Sequence, residues 1–253
     1  MTTHSERWPA GTPAWADITV PSLDQACAFY GPLLGWEFEV GGPETGGYTV
    51  ATVGGRRVVG LGESATDQPS DPQWCLYLAT DDANATTTRV AAAGGRVVVS
   101  ATPLPGMGTM AIAADPTGAV FGLWQSGRHT GWDVTGEPGT VAWTEVMSTD
   151  QPQALAFYQH VLELDVMDAG GDGFVYAVLR RGDLSVAGVG QTEANSAWTL
   201  YLEVADVDAT IEAATGLGAT VAAGAADSPY GRVARLRGPF GETFAIITPA
   251  WHP

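Results

Sequence analysis

Lysine is absent from this sequence: its eleven basic residues are all arginines, set against 28 acidic ones for a formal net charge of −17. Schiff-base chemistry on a lysine is therefore excluded. The acidic balance also argues against nucleic acid and anionic membrane surfaces, which require basic patches. An acidic field attracts a cationic small molecule, although solubility alone accounts for such a charge. There are only two cysteines, Cys27 on a helical stretch and Cys75 in a strand. Settings so different point to buried thiols, not to a disulfide or a metal pair. The four histidines, His4, His129, His160 and His252, are scattered over an arm, a linker, a helix and the terminus. Ser, Cys and His never take a triad-like spacing, and no phosphate-cradling glycine loop precedes a helix. No apolar run approaches a membrane span, and Met1 to Pro13 lacks a basic start followed by an apolar segment. A soluble, cytoplasmic protein is expected.

What is present is a duplication. Trp15-Ala-Asp-Ile-Thr-Val, Pro21-Ser22-Leu23-Asp24, Phe29-Tyr30 and Leu33-Leu34 are answered by Trp143-Thr-Glu-Val-Met-Ser, Thr149-Asp150-Gln151-Pro152, Phe157-Tyr158 and Val161-Leu162. Trp15 to Trp143 and Phe29 to Phe157 are both steps of 128, so register holds across strand, turn and helix. In the first copy Trp15, Asp17 and Thr19 alternate with Ala16, Ile18 and Val20, the period of a strand with two different faces. Ser22 with Gln25, and Asp150 with Gln153, have the spacing of helix N-caps with capping boxes. Ala26, Phe29, Tyr30, Leu33 and Leu34 then follow at helical spacing. The apolar stripe lies on the Ile18 and Val20 side, which leaves Trp15 and Asp17 on a face where a ligand can sit.

The rest repeats in weaker form. A loose arm is expected over 1–13, a first domain over 14–126, a Gly-rich linker over 127–140 and a second domain over 141–250. Within the first, Trp36 to Val40 reads as a strand and Tyr48 to Leu61 as a hairpin around Gly54-Gly55. Residues 62 to 73, with Asp67, Pro69, Ser70, Asp71 and Pro72, read as a connector. Trp74 to Ala79 is a strand, Asp82 caps a helix, and Asp115-Pro116-Thr117-Gly118 turns into the last strand. Trp198, Asp206 and Gly238-Pro239-Phe240-Gly241 stand at the matching places, at steps of 124 and 123. The fold class is α+β: four βαβββ units in two tandem domains.

Four such units, with Phe-Tyr on the first helix, Leu34-Gly35-Trp36 after it and Asp-Pro-Thr-Gly before the last strand, resemble the glyoxalase/bleomycin-resistance superfamily, also called vicinal oxygen chelate. Gly11-Thr12-Pro13 and Gly122 to Gln125 are similar to its tandem-domain actinobacterial branch. The resemblance implies glyoxalase-like domains whose curved sheets form cups. It also implies where a metal would be held: on Trp15 and Trp143, Cys75 and Thr199, and Gly122 and Ala245. None of these is an imidazole or a carboxylate, so no metal and no cofactor is expected, and no glyoxalase, dioxygenase or thiol-transferase chemistry.

The candidate ligand-binding residues are Trp15, Asp17, Trp74, Cys75, Met107, Trp143, Glu145, Met147, Trp198, Thr199 and Tyr230. Aromatic walls suit a flat, largely apolar ligand, while Trp36, Trp124 and Trp251 read as ordinary core or rim. Trp15 and Trp143 read equally as cup wall or as core. Asp17 and Glu145 either receive an amine or hydroxyls of the ligand, act as general base, or simply bond to backbone. Met107 and Tyr230 correspond at a step of 123 in loops that read equally as cup mouths or as loop tips exposed without purpose. The expected function is metal-independent binding of a hydrophobic aromatic metabolite or antibiotic, in self-resistance or as a pathway accessory. Within the resemblance this extends to aromatic polyketide or anthracycline pathways. The alternatives are a metal-independent tailoring enzyme using Asp17 or Glu145, and a module with no ligand. Expected partners are an aromatic, cationic small molecule and a biosynthetic enzyme, with the chain a monomer.

Overall fold

A computed structural model describes residues 2–42, 45–64, 71–171 and 173–250. Asp67, Pro69 and Ser70 of the connector, and Trp251 and His252, lie outside these. The first half runs β1 (Thr2–Thr3), β2 (Pro13–Val20), α1 (Leu23–Leu34), β3 (Glu37–Val40), β4 (Thr49–Val53), β5 (Arg56–Glu63), β6 (Trp74–Ala79), α2 (Ala83–Ala92), β7 (Arg96–Leu104), β8 (Gly108–Ala114) and β9 (Val120–Ser126). After β10 (Val134–Thr135) the second half runs β11 (Val141–Ser148), α3 (Gln151–Leu162), β12 (Asp165–Asp168), β13 (Tyr176–Arg181), β14 (Leu184–Gln191), β15 (Ala197–Glu203), α4 (Val207–Gly216), β16 (Thr220–Ser228), β17 (Gly231–Arg237) and β18 (Thr243–Pro249).

Each helix starts where a short oxygen-bearing side chain can satisfy a free N–H. Ser22 accepts from Gln25 N, Asp82 from Ala85 N, Asp150 from Gln153 N and Asp206 from Ala209 N, at 3.0 to 3.3 Å. Consecutive units then join. Antiparallel pairing of β2 with β6 closes the first half into one eight-stranded sheet of order β3-β4-β5-β2-β6-β9-β8-β7. Pairing of β11 with β15 does the same for the second, in the order β12-β13-β14-β11-β15-β18-β17-β16.

The helices bury their apolar stripes between the two halves. Phe29 and Tyr30 of α1 meet Phe244 of β18 with ring centroids 6.4 and 5.7 Å apart, and Phe121 of β9 meets Phe157 and Tyr158 of α3 at 6.1 and 5.5 Å. Each fully buried aromatic contributes on the order of 2 kcal/mol by area removed from water. Within this layer the Tyr30 hydroxyl donates to Glu242 Oε1 at 2.6 Å. Burial raises the Glu242 carboxyl, against the hydrogen bonds from Tyr30 and the Phe240 N–H. With the helices enclosed here, the opposite face of each sheet is left open.

The arm and linker are not loose. Trp8 donates from Nε1 to the Trp132 carbonyl at 3.1 Å and packs edge-on against its ring, β1 pairs with β10, and the Arg57 guanidinium grips Asp133 through two bonds of 2.7 and 2.8 Å. Glycine and proline content suggested slack, but Trp132 and Val134 are buried and supply apolar anchorage.

Candidate functional site: two open sheet faces

Residues directly opposite in neighbouring strands share a face, so the open face of each sheet can be read row by row. In the first sheet one row runs Cys75, Asp17, Gly60, Val50, Glu39 across β6, β2, β5, β4 and β3. A second runs Trp15, Tyr77, Gly122, Ile112 across β2, β6, β9 and β8. In the second sheet the corresponding rows are Thr199, Glu145, Gly188, Val178, Met167 and Trp143, Tyr201, Ala245, Arg235.

The same chain of hydrogen bonds occupies both faces. Trp15 Nε1 donates to the Tyr48 hydroxyl at 3.0 Å, which donates to Asp17 Oδ2 at 3.1 Å. Trp143 Nε1 donates to the Tyr176 hydroxyl at 3.1 Å, which donates to Glu145 Oε2 at 2.9 Å. Glycines make room for these tyrosines. A Cβ on Gly60 would stand 1.7 Å from the Tyr48 hydroxyl, and one on Gly188 1.8 Å from that of Tyr176.

The two carboxyls part company at their remaining neighbours. Glu145 accepts at Oε1 from the Tyr201 hydroxyl at 2.7 Å and from Arg235 Nη2 at 2.9 Å. It is buried and charge-paired. Asp17 has Tyr48 and Tyr77 as hydrogen-bonding neighbours and no ion-pair partner among the described residues. Desolvation pushes it up to about 7 against those two hydrogen bonds. It is nonetheless only half-buried, as is Cys75 beside it. A carboxyl deep among protein atoms yet reachable by solvent is what the floor of a cup presents. Burial, with the Asp17 charge adding to it, raises the Cys75 thiol far out of the nucleophilic range.

Of the expected residues, Trp15, Asp17 and Cys75 meet on the first open face, and Trp143, Glu145, Met147 and Thr199 on the second. Trp15 is only 3% exposed and His129 covers it edge-on at 4.4 Å, so its ring is wall rather than contact surface. Trp74 and Trp198 do not join them. Trp74 pairs with Ile18 and packs edge-on against Tyr30 and Trp36, while Trp198 donates to the Tyr158 hydroxyl at 2.9 Å. Both are on the helix side, because successive strand residues point to opposite faces and Cys75 and Thr199 already point to the cups. Met107 and Tyr230 are exposed at the tips of the β7–β8 and β16–β17 hairpins.

Tyr48, Tyr77, Tyr176, Tyr201, Glu39 and Arg235 were not foreseen. The tyrosines carried a signal, since Tyr48 to Tyr176 is a step of 128 and Tyr77 to Tyr201 one of 124, the same steps as their neighbours. Beside the second cup, a cavity of about 650 Å³ opens between the arm and β11 and β14, lined by His4, Trp8, Trp132 and Leu184 among others. Trp143 is the one expected residue that reaches it.

The residues at the metal positions implied by the resemblance do not fit a divalent ion. Indole, thiol or hydroxyl, and glycine or alanine stand there, and a Cβ on Gly122 would lie 2.2 Å from the Tyr77 ring, which fills the place of a longer side chain. Among the described residues no three His, Cys, Asp or Glu converge. His129 is the imidazole against Trp15, but its Nδ1 lies 3.1 Å from Arg57 Nη1, which can only donate. Burial, then the Arg57 charge, lowers it to about 4.

Two family models match the chain: the glyoxalase/bleomycin resistance protein/dioxygenase superfamily over residues 12–123, and a glyoxalase-like domain over residues 143–247. The anthracycline biosynthesis protein DnrV of Streptomyces peucetius is 36% identical over 259 aligned residues, covering 95% of this chain and 94% of the relative. Among solved structures, the Mn(II)-bound glyoxalase from Novosphingobium aromaticivorans superposes with a TM-score of 0.65 at 18% identity, covering 96% of this chain and 86% of that one. The 2,3-dioxygenase LapB from Pseudomonas sp. KL28 does so with a TM-score of 0.65 at 12% identity, covering 96% and 93%. At such identities these structures speak to the fold alone.

Proposed function

The chain belongs to the glyoxalase/bleomycin resistance protein/dioxygenase superfamily, and from that premise we propose that it is a metal-independent binding protein for a hydrophobic aromatic metabolite or antibiotic. The observation that carries this reading is the Trp–Tyr–carboxylate chain of hydrogen bonds on both cup floors, which starts from an indole where a cation-holding side chain would stand. Such a floor offers aromatic surface and a few fixed polar atoms, the mix that binds flat ligands. Half-buried Tyr48 and Trp143, with Met147, provide the contact area, and Phe174, stacked on Tyr176 with centroids 5.1 Å apart, extends it in the second cup. The kinship with DnrV, an anthracycline biosynthesis protein, supports an accessory or self-resistance role in antibiotic biosynthesis, and on this reading the protein acts in the cytoplasm beside a biosynthetic enzyme.

Titration with a panel of flat aromatic compounds, followed by tryptophan fluorescence, tests it. Saturable quenching at micromolar concentrations, unchanged by excess chelator, is the expected result. Quenching that appears only when a divalent ion is added, or no quenching across the panel, overturns it.

One observation favours a second reading, a metal-independent tailoring enzyme. A carboxyl held at about 7 beside a tyrosine hydroxyl is suited to moving a proton at neutral pH. On this reading Asp17→Asn abolishes turnover at saturating substrate while the binding signal persists.

A further inference from the structure

The two cups repeat one another residue for residue at their floors, but their charges differ. In the first, Asp17 and Glu39 lie on one cross-strand row, and the neighbouring row ends in Ile112. In the second, Met167 stands where Glu39 does, and Arg235 stands where Ile112 does and neutralises Glu145. Arg57 lies at the edge of the first cup, where it feels the Glu39 charge and reaches His129, but its guanidinium is held by the Asp133 fork on the linker and it makes no ion pair with Asp17. Asp17 is therefore left with no ion-pair partner among the described residues, whereas Glu145 has its own cation in Arg235.

From this we propose that the first cup is the seat of an ammonium group carried on a flat aromatic body, with the nitrogen against Asp17, and that the second cup does not select for positive charge. The inference rests on the reading of the cups as aromatic-ligand sites and names the ligand class that one of them takes. A half-buried carboxyl whose partners are tyrosine hydroxyls has gone without a counter-charge. An amine supplies one while the hydroxyls of Tyr48 and Tyr77 keep the carboxylate in place. In the second cup the Arg235 guanidinium already occupies that position, and a second cation would meet it as a like charge. Glu39 is exposed, further along the row and within reach of the Arg57 charge, so the seat of the amine is Asp17.

The test uses a matched pair of probes, daunorubicin and its N-acetyl derivative, which share one ring system and differ in the charge of one nitrogen. Dissociation constants are measured on the full chain at pH 8, where Asp17 is ionised, for the wild type, Asp17→Asn and Ile112→Arg. Asp17→Asn is isosteric, and Ile112→Arg copies the second cup into the first. The wild type is expected to prefer the amine by about tenfold or more, which is about 1.4 kcal/mol. Both variants are expected to lose that preference while binding the N-acetyl probe about as well as before. Equal binding of the two probes by the wild type, or a preference that survives Asp17→Asn, overturns the charge assignment and leaves the binding reading standing. Binding of neither probe counts against both.

Discussion

The two open faces were built from one template and finished differently. Trp15–Tyr48–Asp17 and Trp143–Tyr176–Glu145 are the same chain of hydrogen bonds. One ends on a carboxyl without a counter-charge, the other on a carboxyl that Arg235 and Tyr201 enclose. Sheet, turn and glycine constrain the template from both sides and resist drift. At the end of the Tyr77 and Tyr201 rows the two halves differ, with isoleucine in one and arginine in the other. Duplication in this chain has conserved the scaffold of a site while separating its electrostatics.

The comparison can be broken most forcefully at Arg235. Arg235→Met strands the Glu145 carboxylate in a buried place and is expected to cost about 2 to 3 kcal/mol at pH 7, discounted because the guanidinium is itself partly exposed. Ile112→Met at the matching place is expected to cost under about 1 kcal/mol. Urea unfolding of the two variants measures the contrast, and equal losses would mean that the arginine does not hold the second carboxylate.

Next in size is the shared glycine. Gly60→Ala and Gly188→Ala each drive a tyrosine hydroxyl out of its seat, and a loss of roughly 2 kcal/mol is expected from either. In the first cup the change also removes the Tyr48 bond to Asp17. Thermal melts read the stability, and a neutral result in one half alone would show that its tyrosine has another place to go.

Asp17 sharpens the comparison through pH. Its folded-state value near 7 lies above the ordinary 3.8, so the native state binds the extra proton between about 4 and 7 and loses stability as pH rises through that window. Asp17→Asn is expected to match the wild type near pH 4 and to gain on the order of 1 to 2 kcal/mol at pH 8. His129 slopes the other way. Depressed from 6.5 to about 4, it contributes stability that is present above 6.5 and is lost as pH falls toward 4. The two offset each other in the wild type, so Asp17→Asn should expose a stability that climbs with pH. A variant curve parallel to that of the wild type would contradict this.

The smallest effect concerns the helix ends. Gly35 closes α1 in the left-handed region at φ 69°, and at the same repeat position Glu163 closes α3 at φ 55°. A side chain costs about 1 kcal/mol in that conformation. Glu163→Gly is expected to recover roughly that much, and a loss in thermal melts would show that the Glu163 side chain earns its place.

Much of this was legible in the sequence because duplication keeps register. Strand parity alone put Trp15 and Asp17 opposite Ile18 and Val20, and the caps at Ser22, Asp82, Asp150 and Asp206 marked the four helices of the described residues. The same parity rules out placing Trp74 with Cys75, or Trp198 with Thr199, on one face. The tyrosines were readable from their repeat steps but carried no ligating chemistry to draw attention to them. Arg235 was not readable at all. Its partner lies 90 residues away on another strand, and the repeat offers only Ile112 for comparison. The arm and linker misled because glycine and proline content outweighed two tryptophans, Trp8 and Trp132, whose burial decides the matter.

A crystal of the protein grown with daunorubicin tests the account most directly. Difference density for a ring system over the first sheet's open face, with its amine within hydrogen-bonding distance of Asp17 and no metal peak beside it, is the predicted result. A divalent ion coordinated on either open face, or the ring system lodged in the cavity under the arm with both cup floors unchanged, would contradict it.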